Sequence, residues 1–221
     1  MSAVAERPKA VLFDVGNVLL RLKTEAFIAA LQEACPSLDK ATMMAELRSP
    51  QSPHMAYERG EISGEAFHAH FRDIYGLPWD YGRWLSHWND YFLPNRPMDI
   101  LVAKLRPQAE LWALSNTNAE HYSHFKRAYR LFDAFKEVIG SHQHGLRKPD
   151  ARLYAIALGR MGLPPASVLF IDDLPANVEA AAALGMPAFQ YSFNDLELKA
   201  FCVELGFEIS PWESRPSPFS C

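Results

Sequence analysis

The sequence has few cysteines, and their spacing does not pair them. Only three occur in 221 residues, Cys35, Cys202 and Cys221, and no two of them form a Cys-x-x-Cys motif. An odd number of distant cysteines is typical of neither a disulfide framework nor a zinc site. We therefore expect reduced thiols and a cytoplasmic protein.

Strong charge and long apolar runs are also missing. Lys and Arg total 22 against 26 Asp and Glu, a formal net charge of -4. This balance offers no basic surface for nucleic acid or an anionic membrane. The first apolar run follows Glu6, Arg7 and Lys9 and is interrupted by Asp14, unlike a secretory leader or a membrane span. We expect no nucleic-acid or membrane partner, and the sequence carries no signal for an oligomeric state.

Short apolar runs rich in β-branched or aromatic residues recur along the chain. They lie at residues 10–14, 110–115, 136–140, 167–172 and 187–191. Helical patterns separate the last four runs, which is typical of parallel strands joined by crossover helices. The sequence therefore predicts an α/β fold with a parallel sheet.

Three of these runs end in polar residues. The first ends at Asp14, the second at Ser115 and Asn116, and the fourth at Asp172 and Asp173. Open α/β sheets gather their functional groups at the carboxyl ends of the strands. A carboxylate there can attack an electrophile and form a covalent intermediate. These residues are therefore candidates for one catalytic site.

A lysine occupies the start of a further predicted helix. Lys148 directly precedes Pro149, which favours the turn that opens a helix. In order along the chain, the sequence thus offers a nucleophile, a hydroxyl, a lysine and an acidic pair.

These segments resemble the four motifs of the haloacid dehalogenase (HAD) superfamily. The matching segments are Asp14 to Val18, Leu114 to Asn116, Lys148-Pro149 and Ile171 to Asp173. The resemblance spans roughly residues 9–206, and four motifs in the same order make it specific. It implies a Rossmann-like three-layer core, with a parallel sheet in the order 5-4-1-2-3, and an inserted all-helical cap.

Within the superfamily, several segments look like the bacterial branch that includes an α-glucose-1-phosphate phosphatase. They are Asp14 to Val18, Arg59 to Ser63 and Leu114 to Asn118. The resemblance therefore implies a phosphoric monoester hydrolase that acts on a small phosphorylated metabolite. A sugar 1-phosphate is one candidate.

The resemblance also implies a role for each motif residue. Asp14 would attack phosphorus in line and form an aspartyl-phosphate that water then hydrolyses. Ser115, Asn116 and Lys148 would bind the phosphate, and Lys148 would also neutralise the nucleophile.

A Mg²⁺ cofactor is part of the same expectation. Asp14, Asp172, Asp173 and the carbonyl of Gly16 would hold the ion, which prefers a few hard oxygen ligands. The crowded carboxylates would repel one another and a phosphate dianion unless a divalent cation and Lys148 compensate them.

About 90 residues separate the first two strand-like runs, far more than a crossover requires. Their patterns predict helices and no convincing strand, at Thr24 to Ala34, Lys40 to Arg48, Ser63 to Tyr75 and Asp80 to Tyr91. We expect residues 20–94 to form a cap domain and residues 1–19 and 95–209 to form the HAD core domain. Residues 210–221 would be a tail rich in proline and serine.

Gly16 departs from the superfamily pattern. Most of its phosphatases carry an aspartate there that protonates the leaving oxygen, worth roughly 10²–10⁴-fold in rate. Without that acid, a leaving group that needs little protonation, such as a sugar 1-phosphate or an acyl phosphate, would suffer least. A water or a cap histidine is the alternative proton source.

Two other functions are compatible with these residues. A 2-haloacid dehalogenase would use Asp14 to attack carbon, and halide would leave without a proton, although that chemistry does not require the acidic pair at 172 and 173. A non-catalytic module that binds a phosphorylated metabolite would retain the pocket but not turnover. Halide release would indicate the dehalogenase, and tight binding without hydrolysis would indicate the binding module.

Overall fold

A computed structural model of the chain describes residues 6–209 and Phe219. Within these residues the strands are β1 (Ala10–Phe13), β2 (Leu20–Leu22), β3 (Phe92–Pro94), β4 (Glu110–Ser115), β5 (Glu137–Gly140), β6 (Val168–Asp172) and β7 (Ala188–Gln190). The α-helices are α1 (Thr24–Ala34), α2 (Lys40–Arg48), α3 (Pro53–Glu58), α4 (Gly64–Tyr75), α5 (Tyr81–Asn89), α6 (Arg96–Leu105), α7 (Ala119–Ala128), α8 (Ala151–Met161), α9 (Pro175–Ala183) and α10 (Asp195–Glu204). No helix among the described residues has the length and hydropathy of a membrane span.

Five parallel strands form the main sheet, in the order β5-β4-β1-β6-β7. Numbered along the chain among themselves, these strands read 5-4-1-2-3 from the β7 edge, which confirms the predicted order. The last residue of β1, Phe13, pairs with Ala113 of β4 and with Ile171 of β6. The three central strands therefore end together, and the polar residues that follow them meet at one edge.

The central strand β1 is buried on both faces. All four of its side chains are 0% exposed. Val11 and Phe13 pack into an apolar cluster with residues of α6, α7 and α10, and Ala10 and Leu12 pack into a second cluster with residues of α8 and α9. The sheet is thus the middle of three layers. Full burial of such a side chain contributes about 1.5–3 kcal/mol, which fixes the strand that carries Asp14.

Residues 24–89 form five helices around an apolar cluster of their own, which includes Phe67 and Trp84. Helices α1 and α2 have the predicted bounds. Ser63 caps α4 as predicted, because its Oγ accepts a hydrogen bond from the N–H of Ala66 at 3.2 Å. Helix α3 has only six residues, too few to show a helical period, and the sequence does not predict it. The division into core, cap and tail domains stays a prediction.

Two short strands correct the description of residues 20–94 as helical throughout. β2 and β3 pair in an antiparallel ribbon, with Leu20 opposite Pro94 and Leu22 opposite Phe92. Three residues are too few for an alternating pattern, so the sequence gives no strand signal there. The ribbon brings the two ends of the helical insertion together beside the main sheet.

The predicted tail, residues 210–221, lies outside the described residues except for Phe219. That ring packs against the cluster that contains Val11 and Phe13. Phe219 is the described residue of this tail, and it contacts the core.

Candidate active site

Asp14 lies in the turn directly after β1 and is only 8% exposed. The backbone N–H of Val15 donates to its Oδ1 at 2.7 Å, which orients the carboxylate. Burial raises the pKa of Asp14 above its ordinary value; Lys148 opposes this rise, and Asp172 and Asp173 add to it. A cation bound beside Asp14 would favour its charged form, which is the nucleophilic one.

Lys148 forms ion pairs with Asp14, after β1, and with Asp172, at the end of β6. Its Nζ lies 2.7 Å from Oδ1 of Asp14 and 2.6 Å from Oδ2 of Asp172, and the residue is 2% exposed. Burial acts to lower the pKa of Lys148, but the two carboxylates outweigh burial and raise it. The structure therefore brings together three of the residues singled out in the sequence, with the lysine charged between two acids.

Asn116 holds the backbone of Lys148 from both sides. Its Oδ1 accepts from the Lys148 N–H at 2.8 Å, and its Nδ2 donates to the Lys148 carbonyl at 3.0 Å. The sequence predicts Asn116 as a phosphate ligand. Its side-chain amide is instead used to position the lysine, which leaves its backbone N–H for the predicted role.

Asp172 is completely buried, and both of its carboxylate oxygens accept hydrogen bonds. Its Oδ1 accepts from Nδ2 of Asn177 and from the N–H of Leu174, both at 2.9 Å, and its Oδ2 accepts from Lys148. These donors compensate a charge that would otherwise be costly to bury. The carboxylate is thereby held in one orientation beside Asp14.

Asp173 is half-buried next to Asp172. Its Oδ2 accepts from Nδ2 of Asn17 at 3.1 Å, so it is tied to the turn that carries Asp14. Burial raises the pKa of Asp173; Asn17 lowers it, and the charge of Asp172 raises it further. A nearby cation would relieve this repulsion.

The three carboxylates form a group fit for a hard cation. One oxygen each from Asp14, Asp172 and Asp173 lies within 4.8 Å of the others. Three acids facing one lysine leave an excess of negative charge, and oxygen ligands are those that Mg²⁺ prefers. Across residues 6–209 and Phe219, no other group of three or more His, Cys, Asp or Glu residues converges in this way. The Gly16 carbonyl stays a predicted fourth ligand.

Ser115 ends β4 beside Asp14 and is 4% exposed. The chain then turns into α7, where Asn118 is the N-cap and its Oδ1 accepts from the N–H of His121 at 2.9 Å. The N–H of Thr117 is bound by Oγ of Ser141 at 2.8 Å. Ser115 therefore lies at the approach to a helix N-terminus, where anions are favoured.

The helical insertion is fastened to the core next to this site. Nε of Arg147 donates to Glu58 at 2.6 Å, and Oγ of Ser141 donates to the Glu58 carbonyl at 2.6 Å. Gly60 has a φ of +70°, and a Cβ there would collide with the carbonyl oxygen of His142. Only glycine combines this backbone conformation with so close an approach, which gives the Arg59 to Ser63 segment a structural role.

A cavity of about 240 Å³ lies between the insertion and the carboxyl edge of the sheet. Its core side includes Val15, Gly16, Ser115 and Asn116. A larger open hollow, of about 830 Å³, is lined by residues such as Lys9 at the opposite, amino-terminal edge. Parallel sheets place their chemistry at the carboxyl edge, so the smaller cavity is the relevant one.

Sequence reasoning misses one buried histidine of this cavity. Nε2 of His121 is 2.8 Å from the carbonyl oxygen of Trp88, and its ring stacks on the indole at 4.5 Å. Burial lowers the pKa of His121 to about 3, while the Trp88 carbonyl opposes the fall. The local sequence signal for His121 is that it lies three residues after Asn118, the N-cap of α7. His142 and His144, in the loop before Lys148, join no metal-ligand group within the described residues.

The family assignment follows from comparison with known proteins. The profile of the haloacid dehalogenase-like hydrolases matches residues 8–185, most of the chain. The chain belongs to this family. The residues that carry the resemblance are thus also those that the fold of this HAD-like hydrolase brings to one edge of the sheet.

Individual relatives are distant. The sesquiterpene phosphatase astK of Aspergillus oryzae is 24% identical over 201 residues, 89% of this chain and 94% of that protein. An (S)-2-haloacid dehalogenase of Pseudomonas putida is 31% identical over 85 residues, 36% of this chain and 37% of that protein. A HAD family enzyme of Bacteroides thetaiotaomicron, solved as a complex with magnesium and inorganic phosphate, has a TM-score of 0.74 at 24% identity, over 85% of this chain and 96% of that one. At this identity the structural match shows the shared fold.

Proposed function

We propose that this HAD-like hydrolase is a Mg²⁺-dependent phosphatase that acts on a small phosphorylated metabolite through Asp14. The observation that carries the proposal is the position of Lys148, within 2.7 Å of both Asp14 and Asp172. A buried cation between the candidate nucleophile and a second carboxylate is the arrangement that transfer of a negatively charged phosphoryl group requires.

Each residue has a defined task in this reaction. An oxygen of Asp14 forms a bond to phosphorus, while the bond to the leaving oxygen breaks and its electron pair stays on that oxygen. Water then attacks the aspartyl-phosphate, gives up a proton to solvent and releases orthophosphate, which restores Asp14. Lys148 balances the charge of the nucleophile and the phosphoryl oxygens, and Ser115 binds the phosphate at the helix approach.

The acidic group would hold the ion. Asp14, Asp172 and Asp173, with the Gly16 carbonyl, are the ligands that we assign to Mg²⁺. When bound, the ion supplies charge neutralisation and orients the phosphoryl oxygens. The magnesium and phosphate in the solved Bacteroides enzyme support this assignment.

One relative that matches most of this chain supports phosphatase chemistry. The A. oryzae relative, matched over 89% of this chain, is a phosphatase. Because Gly16 offers no proton, we retain the proposal that the preferred leaving group needs little protonation, with a sugar 1-phosphate or an acyl phosphate as candidates.

A second candidate function is dehalogenation. The 31% identity to a haloacid dehalogenase over 85 residues favours it. Halide leaves carbon without a proton, so Gly16 would be no handicap. The converging carboxylates argue against it, because attack on carbon with loss of halide does not need a divalent cation.

The proposal is tested by phosphate release from a broad metabolite panel, with Mg²⁺ and with a chelator. We expect release that requires Mg²⁺ and falls by at least about 10³-fold in Asp14→Asn. Asp73→Asn, at a side chain that is 63% exposed on α4, is the matched control. Halide release from 2-haloacids that persists with chelator would instead establish dehalogenation. Absence of both products, with tight binding of a phosphorylated metabolite, would identify a binding module.

A further inference from the structure

The cavity beside the site is largely apolar where it meets the helical insertion. Phe27, Met43, Met44, Leu47, Trp88 and Phe125 are among its lining residues. Three of them, Met43, Trp88 and Phe125, are buried in the structure. Such a lining is favourable for an apolar group transferred from water.

Several polar side chains of the cavity wall are paired with protein, whereas Nε1 of Trp88 is buried without a hydrogen-bond partner in the described part of the chain. Oγ1 of Thr24 is hydrogen-bonded to the hydroxyl of Tyr91 at 2.7 Å. His121 is bound at both ring nitrogens, by the Trp88 carbonyl at 2.8 Å and by Nδ2 of Asn118 at 3.3 Å.

Glu58 and Asn116 of the cavity wall follow the same pattern. Glu58 is held by Arg147 at 2.6 Å and lies 3.7 Å from His54. The amide of Asn116 is taken by the backbone of Lys148. A sugar has several hydroxyls that need partners on burial, and these side chains are already in use.

The apolar wall is continuous with the catalytic edge. Val15, Gly16 and Ser115 line the same cavity, and Val15 is the residue whose N–H binds Asp14. A phosphate held at Ser115 would therefore direct its organic substituent into this space.

We propose that the bond cleaved at Asp14 joins phosphate to an apolar chain, and that this chain occupies the cavity. The inference rests on the proposed phosphatase function and names its substrate class. A volume of about 240 Å³ corresponds to roughly eight water-sized groups at about 30 Å³ each, so the chain is of medium length.

An acyl phosphate series tests the proposal, because its carboxylate leaving group needs no proton from an acid at position 16. Acetyl, butanoyl and octanoyl phosphate share a carboxylate leaving group, and glucose 1-phosphate is the polar comparison. In each acyl phosphate the phosphorus–oxygen bond breaks, the carboxylate keeps the electron pair and Asp14 takes the phosphoryl group. We expect kcat/KM to rise by up to about fourfold per methylene, and octanoyl phosphate to exceed acetyl phosphate by at least about 100-fold.

Variants in the cavity report on the position of the chain. Leu47→Gln, at a half-buried lining residue of α2, should lower the octanoyl-to-acetyl ratio by about tenfold. Met44→Trp should move the optimum to a shorter chain, because it fills space. Ile74→Gln changes a side chain on α4 that is 61% exposed and absent from the cavity lining, so the ratio should stay as in the wild type.

Binding separates failure of this inference from failure of the phosphatase proposal. Octylphosphonate and methylphosphonate, which are not hydrolysed, are titrated by calorimetry in the presence of Mg²⁺. Phosphate release from the series with no rise along the chain, or faster release from glucose 1-phosphate, would overturn the apolar substrate class alone. No release, with octylphosphonate bound more tightly than methylphosphonate, would overturn phosphatase activity and keep the ligand class. Equal binding of the two phosphonates would overturn the inference whatever the turnover.

Discussion

Replacement of Lys148 by methionine should lower the stability of the protein, because the lysine balances the charge of two buried carboxylates. Its Nζ contacts Asp14 and Asp172 at 2.7 and 2.6 Å, and the lysine side chain is 1% exposed. Lys148→Met keeps most of the volume and the apolar stem of the residue. The variant loses two charge-assisted hydrogen bonds and leaves two buried carboxylates without their cation.

The expected cost is large for a single substitution. Removing one partner of a buried ion pair costs about 3–5 kcal/mol, because the remaining charge stays buried and unpaired. The cost depends on pH through Asp14, whose pKa is already raised by burial and rises further without the lysine. The folded variant then binds more protons than the unfolded chain, so its stability falls as pH rises. We expect a loss of about 3 kcal/mol at about pH 8 and a smaller loss at about pH 6.

Urea denaturation of the two proteins in chelator measures this loss. Lys136→Met is the matched control, since Lys136 pairs with Glu110 at 2.8 Å but both side chains are well exposed, at 59% and 41%. Such a surface pair contributes about 0–1 kcal/mol. Bound Mg²⁺ would replace part of the missing charge, so saturating Mg²⁺ should stabilise Lys148→Met more than the wild type.

Two results would refute the reasoning. A loss in Lys148→Met no larger than that in Lys136→Met would mean that the carboxylates are not charged together in the folded protein. Equal stabilisation of variant and wild type by Mg²⁺ would mean that the ion does not bind among these acids.

Three further predictions concern the surroundings of the site. Gly16→Asp should raise hydrolysis of a simple alkyl phosphate by about 10²-fold or more in steady-state assays, because the new carboxyl group supplies a proton donor. The substitution has room, since the atoms nearest to a Cβ at this position belong to the Leu22 side chain, at 3.4 Å. An unchanged rate would contradict the view that activity on such esters is limited by the missing acid. Burial lowers the pKa of His121 to about 3, so the unfolded chain takes up a proton as pH falls below about 6.5 and the protein loses about 2 kcal/mol by about pH 5. His121→Gln should remove that part of the pH dependence in urea melts, and an unaltered pH dependence would contradict a neutral buried ring. Asn116→Ala should lower the free energy of unfolding by about 1–3 kcal/mol, because the Lys148 backbone N–H and carbonyl both lose their hydrogen bonds to the Asn116 amide. The variant should lower kcat more than it raises KM. A change in KM alone would indicate that Asn116 binds the substrate and does not position Lys148.

The strand ends could be predicted because their signal is local. Each central strand is a short apolar run, since it is buried on both faces, and a polar residue at its end interrupts that run at the carboxyl edge of the sheet. Asp14, Ser115 and Asp172 could therefore be placed at the sheet edge before the strand order was observed. The order itself was available only through the family resemblance, because a sequence does not specify which strands are neighbours.

Contacts between distant segments could not be predicted in the same way. The amide of Asn116 binds the Lys148 backbone across 32 residues, and Arg147 binds Glu58 across 89. His121 is neutral because of burial between elements that meet only in the folded chain. The apolar cavity depends on how the helices lie over the core, which a helical period does not reveal. Helical periodicity predicts which residues share a face, and tertiary packing decides what that face covers.

The most direct test of the proposed chemistry is to trap the phosphorylated protein. The hydrolase is mixed with Mg²⁺ and octanoyl phosphate, quenched in acid during turnover and reduced with borohydride, which converts an acyl phosphate side chain to an alcohol. Peptide mass spectrometry should then find the reduced residue at position 14, and only when substrate and Mg²⁺ are both present. Steady release of phosphate with Asp14 unmodified, or with the modification at another residue, would contradict its role as the nucleophile.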